Sequence, residues 1–399
     1  MNVDPFVFEF RPGTIRYGRG RVADLGEALA DEELDRALVV CGRNVGANRD
    51  LMDRVEAGLG DRLADVFDGT TPDKRAETAV EVAGLADGLD ADALVPVGGG
   101  SSLDVAKVAS ALRADGRGIE DVRAEVRESG GISMPADGAA PTPLVPVPTT
   151  LAGADMSVVA GITVEVDGEE VSTGVGGDAL MPAAFCYDPA LFETTPDAVL
   201  AGSAMNGFDK AVESLYARHR SAITDATATR AVRYLLEGLP RMTESADAMD
   251  AAVAGVVLAQ YGVSRPGSMT LNVLHAFGHG LRDAFAMQQG VAHAVVAPHA
   301  LADLFDSSAD TDALVEAFGA DDGDEVVDRV ADLRDALGLP DRLGDALGLP
   351  GRLRDVEGAT CDGVEEAAEA TAADPLLGNA PAGYELGVED ARRILEAAW

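Results

Sequence analysis

Short apolar runs alternate with longer amphipathic stretches through the first half of the chain, which is the pattern of repeated β-α-β units. Ala37-Leu-Val-Val-Cys41, Ala93-Leu-Val-Pro-Val97 and Leu144-Val-Pro-Val147 read as strands buried on both faces of a parallel sheet. Each is followed within a few residues by Gly, Ser or Thr, the types wanted where a strand hands over to a helix and a ligand can approach backbone N–H groups. Ser129 to Pro143, rich in Gly, Ala and Pro, reads as a surface loop, and Thr163 to Gly177, with alternating Val and an Asp-Gly pair, as a β-hairpin. Beyond Asp188-Pro189 the period changes. Val199–Ala217, Ser221–Glu237, Asp247–Ser264 and Met269–Phe285 carry apolar residues at helical spacing. The expected fold is α/β: an N-terminal Rossmann-like parallel-sheet domain over residues 1–187, then an all-helical C-terminal domain over residues 188–399. Asp335-Ala-Leu-Gly-Leu-Pro340 recurs as Asp345-Ala-Leu-Gly-Leu-Pro350. Two copies are too few for a solenoid and read as a local duplication in a helix-turn region.

Composition narrows the partners. The chain has 399 residues, long enough for two cores, and 47% of them are hydrophobic. Its 69 acidic residues against 31 basic ones give a formal charge of -38, a field that repels nucleic acids and anionic membranes. Lysine occurs only as Lys74, Lys107 and Lys210. An acidic, lysine-poor composition resembles proteins of salt-loving archaea, and it predicts a stability that rises with salt, because salt screens the self-repulsion. Cys41, Cys186 and Cys361 form neither a CxxC pair nor a His-Cys cluster, so a reducing compartment fits. Met1-Asn-Val-Asp-Pro-Phe6 has no basic region leading into an apolar one, and no run approaches a membrane span. A cytoplasmic protein is expected.

The strongest chemical signal is Gly98-Gly-Gly-Ser-Ser-Leu-Asp-Val-Ala-Lys107. Consecutive glycines after a strand bring the backbone close to a pyrophosphate, serines add hydroxyl donors, and the following helix directs its positive end at the phosphates. By itself this loop is a moderate signal, because a tight turn without a ligand has the same composition. Joined to Pro148-Thr-Thr-Leu-Ala-Gly-Ala-Asp-Met-Ser157, His275-Ala-Phe-Gly-His279 and Gly290-Val-Ala-His-Ala-Val-Val-Ala-Pro-His299, it resembles the iron-dependent (group III) alcohol dehydrogenase family, from Tyr17-Gly-Arg-Gly20 to the closing helix at Asp390–Ala398. Thr149-Thr-Leu-Ala-Gly-Ala-Asp-Met-Ser157 and Ala211-Val-Glu-Ser-Leu-Tyr-Ala217 look most like the maleylacetate reductases of that family.

The resemblance implies a nicotinamide dinucleotide on the α/β domain and hydride transfer in a cleft beside the helical domain. It carries Gly98, Gly99, Gly100, Ser101, Ser102, Asp104, Thr149, Thr150 and Ser157 onto the cofactor. Members that prefer NAD have an aspartate just after the strand matching Ala37–Cys41. Here Gly42, Arg43 and Asn44 follow, which removes a carboxylate that would repel a 2′-phosphate and offers a guanidinium. NADP is therefore expected at least as readily as NAD.

The family's four metal positions fall on Asn206, Lys210, His275 and Gln289. One imidazole with two amides binds a divalent cation weakly, and an ammonium repels it, so no metal is expected. Lys210 is then the candidate to polarise the substrate oxygen in the metal's place, with Asn206 and His275 around it and His279 as a proton relay. Asp209 and Glu213 are read as solvated or interdomain helix charges. The alternative registration makes Asp209, Glu213 and His275 a metal site. His219, His293 and His299 are read as hydrogen-bonded core residues, and Arg265 and Arg282 as candidates for a substrate carboxylate. Three readings follow: a metal-independent reductase of a small carbonyl compound such as a keto acid, a metal-dependent alcohol or polyol dehydrogenase, and a catalytically silent NADP-binding scaffold or sensor. A homo-oligomer, such as a dimer, is expected from the family plan.

Overall fold

The computed structural model describes residues 5–136, 139–347 and 362–399. Cys361, the first four residues and the last three of the second repeat copy, Gly348 to Pro350, lie outside the described residues. The chain folds as two compact units. One comprises Phe10–Thr150 and Ala154–Thr195; the other comprises the chain up to Glu9, Leu151–Gly153 and Pro196–Trp399.

In the first unit, β1 (Thr14–Tyr17) pairs with a later strand, and β2 (Ala37–Gly42), β3 (Leu63–Thr70), β4 (Ala93–Gly98) and β5 (Val147–Pro148) form a parallel sheet of order β3-β2-β4-β5. β2 shows why its sequence is a continuous apolar run. Leu38 and Val40 enter one core with Val105, Ala109 and Leu112, while Ala37, Val39 and Cys41 enter a second core with Leu51, Val55 and Leu59. A strand covered on both faces has no polar side.

The segment expected as a strand over Leu144–Val147 is shorter, with only Val147–Pro148 in the ladder and Leu144 making an isolated bridge to Leu94. Pro143, Pro146 and Pro148 lack N–H donors, which thins the ladder. The expected hairpin is present as β6 (Val159–Val166) and β7 (Glu169–Gly176). Asp167 and Gly168 join them with φ of 54° and 87°, the mirror-image turn that an Asp-Gly pair favours. β8 (Ala184–Tyr187) closes the unit beside β1.

The sequence boundary at residues 187/188 falls before the structural one. After β8 the chain stays with the first unit through Thr195, because Glu193 pairs with Arg19, Asn48 donates to the Thr194 carbonyl, and the Thr195 hydroxyl donates to that of Thr149. Leu151 leaves the first unit because its N–H donates to the Ser203 hydroxyl at 3.0 Å and its carbonyl lies against Gly207, where a side chain would clash.

The second unit is helical, with the helices Asp197–Ser214, Ala222–Gly238, Ala246–Gln260, Val273–Phe285 and Gln289–Phe305 at its centre. Helical spacing runs from Asp247 to Ser264 and restarts at Met269 in the sequence, but the helices stop at Gln260 and resume at Val273. Between them Pro266-Gly267 turns a short antiparallel pair, Ser264–Arg265 with Ser268–Met269, which a helix cannot run through. The closing helix is Val388–Ala397. Among the described residues no helix is long and apolar enough to cross a membrane.

Candidate active site

The glycine loop sits at the carboxyl edge of the sheet. Gly98 ends β4 with φ 125°, a conformation open to glycine, and its carbonyl accepts the Thr149 N–H at 3.0 Å. Gly99 caps the helix Gly100–Asp115 and has no side chain to satisfy the first-turn N–H groups. Those donors, at the positive end of a 16-residue helix, suit an anion.

The remaining expected cofactor residues gather at the same edge with different degrees of freedom. Gly42 ends β2, and Arg43 and Asn44 begin the next helix, exposed. Gly42 also has a packing reason to be glycine, since a Cβ there would meet the Thr70 carbonyl at 3.2 Å. Ser102 exchanges a hydrogen bond with Thr70, Oγ to Oγ1, at 3.0 Å, and Asp104 pairs with Lys74 at 2.5 Å. The Ser157 hydroxyl is engaged locally with Val159. Lys107 is buried and donates to the carbonyls of Ala154 and Ser157 at 3.0 and 2.7 Å, pinning the loop that follows Thr150.

In the helical unit, Asp197–Ser214 is the lysine helix and Val273–Phe285 the histidine helix. Lys210 is 8% exposed, and the stem of its side chain passes Gly153, whose φ of 67° and bare Cα leave room for it and for Gln260. Its Nζ lies 3.2 Å from His275 Nε2 and 3.4 Å from Asn206 Oδ1. Nε2 and Oδ1 are themselves 3.1 Å apart. Where Nε2 carries the lone pair, two acceptors at that distance repel each other unless a cation or donor lies across both, and the Lys210 amine lies across both. Gln289, the fourth position, opens the helix Gln289–Phe305 and lies beside Gly278, where a Cβ would meet its Cγ at 3.2 Å.

Asp209 and Glu213 correct the sequence reading. Both are fully buried, so neither is a solvated charge. Glu213 Oε2 lies 2.5 Å from His275 Nδ1, and Oε1 accepts the N–H groups of Leu274 and His275 at 2.7 and 3.1 Å. Asp209 Oδ2 lies 3.0 Å from His293 Nδ1, close but out of line for a hydrogen bond, so both side chains keep buried polar atoms without a hydrogen-bond partner. The two carboxylates thus face different histidines and do not converge with His275 on one point. Among the described residues there is no group of three or more His, Cys, Asp and Glu able to hold a metal ion.

Burial sets the charges here. It pushes the Asp209 carboxyl well up, against the pull of Lys210, and Glu213 up to about 8, against the backbone N–H groups on its oxygen. Burial and then the Lys210 ammonium push His275 and His293 well below the ordinary imidazole range. The two rings meet edge to face, with centroids 4.6 Å apart. His279, one turn after His275, is partly exposed and places Nδ1 2.7 Å from Asp374 Oδ2. Arg265 is buried, donates to the His219 carbonyl and the Ser268 hydroxyl, and lies over the Phe8 ring; Arg282 pairs with Asp283 at the surface. Both arginines are thus engaged away from Lys210.

Sequence reasoning placed Asp209 and Glu213 beside His275 only in the alternative metal registration, and it did not assign His293 or Asp374 to this cluster. The available signal was Glu213 itself, an acid between Val212 and Leu215 on a helix whose neighbours are apolar.

Residues 12–189 match the family model for iron-containing alcohol dehydrogenases, and residues 200–399 match the C-terminal model of the same family. The chain belongs to the iron-containing alcohol dehydrogenase family. It is accordingly an oxidoreductase acting on CH–OH or C=O groups. It is 30% identical to maleylacetate reductase 2 of Cupriavidus pinatubonensis over 302 residues, 75% of this chain and 74% of that protein. It is 28% identical to the maleylacetate reductase of Sphingobium indicum over 396 residues, 98% of this chain and 97% of that protein. A sulfoacetaldehyde reductase from Bifidobacterium kashiwanohense, solved with NAD+, shares the fold with a TM-score of 0.84 at 20% identity, covering 99% of both chains.

Proposed function

We propose that this family member is an NAD(P)H-dependent reductase of a small carbonyl compound, a keto acid such as maleylacetate, in which the Lys210 ammonium replaces the metal. The observation that carries this reading is the Lys210 amine, set across His275 Nε2 and Asn206 Oδ1 at 3.2 and 3.4 Å. The metal does not fit the residues present: an ammonium stands among the donors, and the nearest carboxylates are turned to imidazoles. The dinucleotide does fit. The Gly98–Gly100 turn and the first turn of its helix would hold the pyrophosphate, and Thr149 and Thr150 lie beside them. Gly42, Arg43 and Asn44 favour acceptance of a 2′-phosphate. The maleylacetate reductases among its relatives support the substrate class.

The reduced cofactor supplies a hydride. When hydride adds to the carbonyl carbon, or to a carbon conjugated with it, the π electrons move onto oxygen. Lys210 donates a charge-assisted hydrogen bond to that developing oxyanion, in a buried setting where such a bond is stronger than in water. In this reading the proton that completes the alcohol or enol reaches the oxygen from Lys210, and His279, held by Asp374 and partly open to solvent, is the relay that restores it.

The test is turnover of maleylacetate with NADH and with NADPH, before and after exhaustive chelation, beside metal analysis of the purified protein. Full activity in metal-free enzyme supports the reading. Activity that vanishes on chelation and returns with iron or zinc points to the metal-dependent dehydrogenase, and tight NADPH binding without turnover of any carbonyl points to the silent binder.

A further inference from the structure

We propose that Glu213 is a positioning residue that sets the tautomer of His275 and thereby turns the imidazole lone pair toward Lys210; this rests on the reading of Lys210 as the group that meets the substrate oxygen. Glu213 and Lys210 share one helix, yet the carboxylate reaches the amine only through a ring on another helix.

The carboxylate is fixed before the ring is considered. Oε1 takes two backbone N–H groups, from Leu274 at 2.7 Å and His275 at 3.1 Å, in the first turn of the histidine helix. These are donors that a helix N-terminus leaves without intrahelical partners, at its positive end. Asn272 caps the same turn, its Oδ1 accepting the Val273 N–H at 2.6 Å, and its side-chain amide donates to the Thr270 carbonyl at 2.8 Å. With Oε1 held, Oε2 is left facing His275 Nδ1 at 2.5 Å, a distance that requires a proton between them.

Above about pH 8, where Glu213 is ionised, its carboxylate accepts, so there the ring donates from Nδ1 and Nε2 carries the lone pair. Nε2 is the atom 3.2 Å from Lys210 Nζ. The opposite tautomer would set an N–H against an ammonium and push it off the site. The imidazole also spares the chain a direct carboxylate–ammonium pair, which would hold Lys210 tightly and compete with a substrate oxygen. A neutral acceptor holds the amine in place more weakly and leaves its charge available.

Glu213→Gln tests this with almost no change of shape. If the glutamine keeps its oxygen on the two backbone N–H groups, its NH2 faces Nδ1, and the ring proton must move to Nε2. The expected result is inversion of the His275 ring 15N pattern in histidine-labelled protein at pH 9, from Nδ1 protonated to Nε2 protonated, with the signal assigned by its loss in His275→Asn. Turnover of maleylacetate at the same pH should fall about 10- to 100-fold in kcat with the KM for NADH within about twofold, the size typical of removing a partner that orients a functional imidazole. Wild-type protein with the ring proton on Nε2 overturns the inference, and so does a variant with an unchanged ring pattern. The wild-type spectrum needs no folded variant. Inversion without loss of kcat also overturns the positioning role. Failure of the underlying reading is separate: it would appear as full turnover in Lys210→Ala, whatever the ring spectrum of the wild type.

Discussion

Two of the three lysines in this chain are deeply buried, one in each unit, and they are held in different ways. Lys107, 1% exposed, donates to the carbonyls of Ala154 and Ser157, which are unreactive acceptors in a loop that needs fastening. Lys210, 8% exposed, meets an imidazole and an amide, with two further histidines and two buried acids around them. Lys74, the third, pairs with Asp104. A chain that otherwise uses arginine thus keeps lysine where a compact ammonium on a flexible stem reaches an acceptor that a planar guanidinium would not fit. Rarity alone does not mark Lys210 as chemical, because Lys107 is equally rare and structural. What marks Lys210 is the identity of its acceptors.

The comparison breaks most readily at the lysines themselves. Lys210→Ala is expected to lower kcat by about 10²- to 10³-fold, the loss seen when one oxyanion donor is removed, with the melting temperature little changed. Lys107→Met should do the reverse: turnover within a few fold, and a loss of about 1–3 kcal/mol per carbonyl left without a donor, read from urea unfolding. If Lys107→Met abolished turnover in a protein of full stability, the division between a structural and a chemical lysine would fail.

A pH experiment sharpens it next. Burial raises Glu213 to about 8, so the folded chain retains a proton that the unfolded chain gives up near the ordinary glutamate value. Stability from this group is present at acid pH and lost as the pH rises through about 8. Asp209, raised by the same burial, adds to that slope, while His275 and His293, lowered, cost stability only below the ordinary imidazole range. Lys210 lies near both acids. The urea midpoint of the wild type should therefore fall between pH 7 and 8, and that of Glu213→Gln should fall less. Equal slopes would place Glu213 outside the effect.

The smallest expected effect lies in the α/β unit. Arg43→Ala should raise the KM for NADPH about 5- to 20-fold, the worth of one exposed charge-assisted contact, and leave that for NADH unchanged. Parallel changes for both cofactors would show that Arg43 does not read the 2′-phosphate.

Much of the architecture was legible in advance because it depends on local patterns. The double-sided apolar run Ala37–Cys41, the Asp167-Gly168 turn and the glycine turn at Gly98 each carry their own conformational requirement. The misreadings came where local pattern and local chemistry diverged. Helical spacing continued past Gln260 although Pro266-Gly267 turns the chain, and prolines thinned the strand at Leu144–Val147. Asp209 and Glu213, read as helix charges, are fully buried, since a carboxylate has the same letter whether it faces water or an imidazole.

By itself the sequence determined the class of the fold, the dinucleotide turn, the family resemblance and the substitution of Asn206, Lys210 and Gln289 at the family's metal positions, since these are properties of residue type and spacing. The tertiary structure alone decided which acids face which histidines. Glu213 with His275, Asp209 with His293 and Asp374 with His279 are joined across 62, 84 and 95 residues of sequence. No short-range pattern encodes such pairs. They exist because packing brings distant segments of the chain together, and low-dielectric burial makes a charge costly without a partner.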